Sequence, residues 1–242
     1  MLAEKSRKMS VILPTLNEEK NIRSTLRELR KILPHAQLIV ADGGSSDKTQ
    51  EIAKKYADKL CLENTRKKKR PSIGAGRNAG AGHSRREWLV FCDADNVPPK
   101  SFFEHTAREF EKPFVVGFGG KVMPKHATFL QKWVFEIFNL IVHVSALVGR
   151  PAIAGNAVAY KKKPFNYVGG FDEEREASED QELCQRMAKV GKVIYDKSVV
   201  TYTSNRRLKK FGLLGLLWDW GKTTLNFILG IKTKRYAIIR EI

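Results

Sequence analysis

The chain has 242 residues, with 44 Lys and Arg against 26 Asp and Glu and a formal charge of +18; this length suits one full α/β core with an appendage better than two equal domains. Its cysteines, Cys61, Cys92 and Cys184, are odd in number, far apart and without C-x-x-C spacing, which argues against a disulfide framework or a zinc site and for a reducing cytoplasm. The charge calls for an anionic partner, whether nucleic acid, a membrane surface or a phosphorylated substrate.

Residues 1–9 carry charge and run into a strand rather than into an apolar signal-peptide core, so export is not expected. Ser10-Val11-Ile12-Leu13 reads as a short apolar strand stopped by Pro14, after which Ile22, Leu26, Leu29 and Leu33 recur at helical spacing. A second strand over 37–41 ends in Asp42-Gly43-Gly44-Ser45-Ser46, and Asp47 is placed to cap a helix running through Gln50. A short third strand is expected over 60–62. The densest basic run, Arg66-Lys67-Lys68-Lys69-Arg70, lacks the interleaved aromatics of a nucleic-acid surface. Small residues from Gly74 to Gly80 allow a closely packed helix before the apolar strand 88–92. Strands alternating with helices in this way predict a mostly parallel, doubly wound sheet.

Asp93-Ala94-Asp95 closes that last strand. Ligands of α/β proteins gather at the carboxyl ends of strands, where two carboxylates can hold a hard divalent cation against a phosphate-bearing substrate. A plain acidic turn with Asp95 paired to a surface lysine is the alternative. Beyond it the pattern predicts a helix over 99–111, strand material with a glycine break over 114–122, and a long apolar helix over 129–148. Lys132, Glu136 and His143 interrupt that helix, so it reads as buried or interfacial rather than membrane-spanning. Strands are expected over 156–160, 193–195 and 199–203, with a helix over 179–190. The tail mixes Leu, Trp and Phe with Arg206, Arg207, Lys209, Lys210, Lys222, Lys232, Lys234 and Arg235. Either it lies along an anionic membrane as an amphipathic element, or it is a solvated basic face.

Taken together, Pro14-Thr15-Leu16-Asn17-Glu18, Asp42-Gly43-Gly44-Ser45-Ser46-Asp47, Gly76-Arg77-Asn78-Ala79-Gly80, Asp93-Ala94-Asp95, Gly169-Gly170-Phe171-Asp172 and Glu179-Asp180-Gln181-Glu182-Leu183 resemble the motifs of a family 2 glycosyltransferase of the inverting, GT-A kind. The resemblance implies a GT-A domain over 9–205, Rossmann-like with a mostly parallel sheet flanked by helices, and leaves a basic amphipathic helical tail over 206–242 unexplained. It implies that Pro14, Thr15 and Glu18 line a nucleoside pocket, that Asp42 accepts a hydrogen bond from the nucleobase, and that Arg77 faces the diphosphate. Asp93 is expected near the ribose or a metal-bound water, and Asp95 as ligand of Mg²⁺ or Mn²⁺. Asp180 is expected as the base that takes the proton from an acceptor hydroxyl; the structural alternative is that Glu179 and Asp180 complement a helix dipole.

The expected activity is transfer of one sugar from a nucleotide-sugar donor to a hydroxyl or phosphate acceptor. The acceptor is expected to be polyprenyl-linked or another lipid, met at the anionic inner face of the cell membrane. A processive polymerase would carry Gln-x-x-Arg-Trp where this chain has Asn205-Arg206-Arg207-Leu208. No nucleic-acid partner is expected; the apolar segments also leave room for a homodimer. Two other classes stay open: a nucleotidyltransferase of similar fold, although the glycine-rich, lysine-containing loop expected after its first strand is missing, and a non-catalytic basic protein that binds membranes or nucleic acid.

Overall fold

In the computed structural model, strands β1 (Met9–Thr15), β2 (Gln37–Asp42), β3 (Lys59–Leu62), β4 (Trp88–Cys92), β5 (Val115–Pro124), β6 (Ala157–Lys161) and β7 (Lys192–Thr203) form one sheet in the spatial order β3-β2-β1-β4-β6-β5-β7. The structure describes residues 1–63, 72–204, 206–228 and 231. The basic run at 66–70 and the basic residues at 232, 234 and 235 therefore lie outside the described residues. Every pairing is parallel except those of β6, which runs antiparallel to both β4 and β5.

The central strands are apolar on both faces because both faces are covered. Val11, Leu13, Leu38, Val40 and Val90 point into one core. It is closed by the apolar stripe Ile22, Leu26 and Leu29 of α2 (Ile22–Ile32) and by Phe102 and Phe103 of α5 (Lys100–Glu109). Ile12, Ile39, Leu89 and Phe91 point into the other, against Phe165 of α7 (Lys162–Tyr167) and Leu183, Cys184 and Met187 of α8 (Glu179–Ala188). Helix α1 (Leu2–Lys5) precedes β1, and α3 (Thr49–Tyr56) and α4 (Ile73–Gly82) lie between strands. The expected mostly parallel sheet flanked by helices is thus what forms.

Three local readings need correction. Pro14 does not stop β1, which continues to Thr15. The β1–β4 pairs end at Ile12, whereas the β1–β2 pairs continue through Pro14 and Thr15, so proline's missing N–H falls where one neighbour has already left. The glycines at 117–120 do not break β5. The expected strands over 193–195 and 199–203 are one strand, β7, in which the pairing jumps from Gly120↔Asp196 to Lys121↔Val200. Asp196 Oδ1 accepts the Ser198 N–H at 2.9 Å there, so the polar stretch is an irregularity within a strand rather than its end.

Two helices finish the molecule: α6 (Phe129–Leu147) and α9 (Arg206–Ile228), the latter interrupted at Gly212, where φ is +66°. Thr128 and Gln131 close a capping box at the start of α6. Among the described residues no helix is long and apolar enough to cross a membrane.

The close approach of α4 to β1 depends on Gly80, where an added Cβ would lie 2.4 Å from Ile12 Cγ2. Gly80→Ala is expected to destabilise the fold by about 1–3 kcal/mol through overpacking, read as a lower urea midpoint at unchanged slope. An unchanged midpoint would show that α4 can lift off β1 without cost.

Candidate active site

Winding of the sheet changes direction between β1 and β4, since the chain goes from β1 outward to β2 and β3 and then returns to the other side of β1. A crevice is expected at the carboxyl ends of the strands beside such a switch. Pro14 and Thr15 at the end of β1, Asp42 at the end of β2, and Asp93 and Asp95 just past β4 all lie on that edge.

Asp42 is fully buried and organises the turn after β2. Its Oδ2 accepts from Thr15 Oγ1 at 3.0 Å and Ser45 Oγ at 2.5 Å. Its Oδ1 accepts from the N–H groups of Gly44 at 3.0 Å and Ser45 at 2.8 Å and from Gln50 Nε2 at 2.8 Å. Five donors from its own neighbourhood meet this carboxylate, which makes it the anchor of the pocket edge. Asn17, in the left-handed region at φ +56°, ties the loop after β1 to the same turn: its N–H donates to Ser45 Oγ at 2.8 Å and its Oδ1 accepts from Ser46 N–H at 2.9 Å. Glu18 follows, with its N–H on Thr49 Oγ1 at 2.8 Å and its Oε2 accepting from Asn21 Nδ2 at 2.9 Å.

The second half of the site is built around Arg77 of α4, which is 2% exposed. Its Nη1 donates to Glu179 Oε1 at 3.0 Å and its Nη2 to the Gly155 carbonyl at 2.8 Å; Asp93 Oδ1 lies 3.7 Å from Nη2, and the Phe171 ring lies under the guanidinium at 5.2 Å. The Arg77 fork is therefore engaged inside the protein. Gly155 in turn donates its N–H to Asp180 Oδ2 at 2.7 Å, while Asp180 Oδ1 accepts from Gln181 N–H at 2.8 Å. A Cβ at 155 would sit 2.8 Å from the guanidinium, so the approach requires glycine. Ser178, left-handed at φ +60°, turns the chain into α8.

Sequence reasoning singled out Arg77, Asp93 and Asp180, and the structure joins these three through one network. It missed Glu179 and Gly155. The pair Glu179-Asp180 held the only signal for the first: adjacent residues on a helix face different ways, so the two acids meet different surroundings. Burial, and then the neighbouring Asp180, push the Glu179 carboxyl up to about 7 against the opposing pull of Arg77.

Asp93 and Asp95 supply hard oxygen donors. Lys125 donates to the Asp95 backbone carbonyl at 3.3 Å, and the Asp93 N–H reaches the Asn156 carbonyl at 3.4 Å. Among the described residues no group of three or more His, Cys, Asp or Glu could enclose an ion. Mg²⁺ and similar ions are commonly held by one or two carboxylates plus the phosphate oxygens of a substrate, and the Asp93–Asp95 pair fits an ion bound in that way.

The glycosyl transferase family 2 profile matches residues 10–169. Succinoglycan biosynthesis protein ExoA of Rhizobium meliloti is 29% identical over 228 residues, 87% of this chain and 66% of that protein, so the chain spans just under two thirds of this relative's length. Mannosyltransferase PcManGT from Pyrobaculum calidifontis, solved with GDP-Man and Mn²⁺, superposes with a TM-score of 0.69 at 18% identity, covering 94% of this chain and 66% of that one. Glucosyl-3-phosphoglycerate synthase from Mycobacterium tuberculosis, solved with Mn²⁺, UDP and glucosyl-3-phosphoglycerate, gives a TM-score of 0.66 at 18% identity over 98% of this chain and 86% of that one. These likenesses establish the GT-A fold.

Glu179 makes stability depend on pH with a definite sign. The folded chain keeps its proton up to about pH 7, whereas the side chain ordinarily releases it near 4.5. The folded state thus binds more protons within that window, and the contribution of Glu179 falls as pH rises through it. Between those limits the wild-type urea midpoint is expected to decline relative to that of Glu179→Gln. Parallel curves would show that Arg77 keeps Glu179 ionised throughout.

Proposed function

The chain belongs to glycosyl transferase family 2, and from that premise we propose that it moves one sugar, with inversion, from a nucleotide-sugar donor to a hydroxyl or phosphate acceptor in a reaction that depends on Mg²⁺ or Mn²⁺. The observation that carries this reading is the Arg77 network, which joins Asp93 at the exit of β4 to Asp180 at the start of α8 through Gly155. The Mn²⁺ and nucleotide ligands in the two solved relatives support it.

In this reading Pro14, Thr15 and Glu18 wall the nucleoside pocket, and Asp42, which holds the turn at its edge, is the acceptor for the nucleobase. Asp95, with Asp93 beside the ribose or a metal-bound water, would hold the ion, which when bound offsets the negative charge gathering on the departing nucleoside diphosphate. The acceptor oxygen attacks the anomeric carbon from the face opposite the diphosphate, and its proton passes to Asp180. The Gly155 and Gln181 N–H groups each hold one Asp180 oxygen, so the carboxylate is already oriented. A phosphate acceptor arrives ionised and needs that base much less. Arg77 contributes by positioning Asp93 and Gly155 rather than by clamping the diphosphate. The acceptor is lipid-linked, polyprenyl or otherwise, and is met at the inner face of the cell membrane; the apolar and basic C-terminal region supports this part of the reading.

A thermal-shift screen of UDP-, GDP- and dTDP-sugars with and without Mn²⁺ finds the donor, because a ligand of the folded form raises its apparent stability. Asp95→Ala is expected to lose the Mn²⁺-dependent part of that shift, and a variant that binds donor and metal like the wild type would overturn the metal assignment. Asp180→Asn is expected to retain the donor shift while transfer to a hydroxyl acceptor falls by about 10²-fold or more. Near-normal turnover with a hydroxyl acceptor would remove Asp180 from the chemistry.

A further inference from the structure

Helix α6 presents an unusual division of its surface. Toward the sheet it turns Phe135, Asn139 and Val142, all buried, and Asn139 clasps the backbone of β5, accepting from Val122 N–H at 2.9 Å and donating to its carbonyl at 2.8 Å. Away from the sheet, Leu130, Trp133, Ile137, Leu140, Ile141 and Val144 are each between 50 and 63% exposed. Their spacing of three and four residues places them on one stripe. Helix α9 lies alongside with Trp220 turned inward, 5.1 Å from Phe135 and 4.8 Å from Phe138 between ring centres. That leaves Leu214 and Trp218 pointing outward, at 82 and 78% exposed.

A contiguous apolar face of this kind marks a contact surface, and its charges and position identify the occupant. Lys132, Lys209, Lys210 and Lys222 are exposed on the same two helices, and among the described residues none of them forms an ion pair with an acid. Glu136 is neutralised by Lys121 at 2.6 Å. Packing two copies face to face would set these lysines against one another, whereas lipid phosphates would meet them with opposite charge. The clasp on Val122 also places α6 beside the end of β5, and Lys125, one residue past that end, donates to the Asp95 carbonyl. The apolar face therefore adjoins the rim on which the proposed donor site lies.

We infer that the outer stripe of α6, extended by Leu214 and Trp218 of α9, docks this protein on an anionic bilayer with the strand-end rim turned toward the headgroups. This deepens the lipid-linked acceptor proposed above and rests on it for its purpose, though not for its test. The tail does not act alone, since Trp220 is an internal contact between the two helices.

The test uses the full chain, sedimented with vesicles of mixed phosphatidylglycerol and phosphatidylcholine and with vesicles of phosphatidylcholine alone. Binding is expected to the mixed vesicles, to weaken as salt is raised, and to be slight on phosphatidylcholine. Trp133→Glu/Leu140→Glu is expected to lower partitioning by about tenfold or more, as removal of buried apolar anchors does, and Tyr167→Glu, an exposed aromatic on α7, is expected to leave it unchanged. Leu140→Gln, a milder change, serves if the double variant fails to fold, as judged by its melting curve and its donor-dependent thermal shift. A wild type that ignores mixed vesicles at low salt, or α6 variants that bind as well as it does, would overturn the docking face. So would a wild-type dimer in solution that these substitutions split. Vesicle binding without any nucleotide-sugar shift would instead defeat the transferase reading and leave the docking face standing.

Discussion

A guanidinium with 2% of its surface exposed has to find its solvation inside the protein, and the two Nη groups of Arg77 find it in Glu179, the Gly155 carbonyl and the nearby Asp93, while its Nε is buried without a hydrogen-bond partner among the described residues. Removing an ion from water costs several kcal/mol even after relaxation, and leaving it without partners costs more than the pairs themselves return. Four segments are consequently held to one geometry: α4, the exit of β4, the stretch before β6 and the start of α8. Asp180 stands one peptide away from the cation, through the Gly155 N–H. The two carboxylates proposed for donor and acceptor chemistry share this support and cannot drift independently.

The reversed strand explains how the second half of the chain reaches the first. Had β6 run parallel to β4, it would have begun at the opposite edge of the sheet, and the residues before it would lie far from Asp93. Running antiparallel, with Cys92 opposite Ala157, it begins where β4 ends. Gly155 and Asn156 therefore fall beside Asp93, whose N–H meets the Asn156 carbonyl. The residues proposed for the donor side come from loops after parallel strands, and the proposed base reaches them through the loop that the antiparallel strand returns to the same edge. This is how α/β sheets place function on loops over a rigid frame.

Strands β2 and β4 and helices α2 and α5 were readable because each buries a run or a stripe that local hydrophobic pattern displays; β3 buries only Cys61, and α6 was readable from its length and apolar content although its outer stripe is exposed. Pro14, Thr15, Asp42, Asp93 and Asp95 were placed at strand ends by their motifs and lie there, whereas Arg77 and Asp180 sit on α4 and α8. Less visible was whatever depends on partners distant in sequence. Pro14 is tolerated because β4 has stopped pairing at Ile12, a fact of register that the strand's own residues do not carry. Asp196-Lys197-Ser198 looked like a loop because a pairing jump within a strand has the same polar composition as a strand end. Arg77 was expected to face the diphosphate, since its motif shows a cation among small residues and does not show that Glu179 lies across the core. The inward turn of Trp220 was equally hidden: α9 is apolar on more than one side, so periodicity does not say which side is covered.

Helix α6 shows how a fold can reverse the usual arrangement of an amphipathic helix. β6 pairs with β5 only from Gly117 to Gly119, and beyond that the backbone groups of Val122 on that side have no strand to meet. Buried backbone donors and acceptors must be paired. The Asn139 side chain supplies both an acceptor and a donor to Val122, and Tyr195 donates its hydroxyl to the same Asn139 oxygen at 3.1 Å. A polar residue thus faces the sheet because an incomplete ladder needs an amide there. The aliphatic and aromatic residues on the other side of α6 take no part in satisfying that need, and the packing of the described residues leaves them in water. Under the proposed docking a bilayer covers them, and the lysines on the same helices suit a surface that is both apolar and negatively charged.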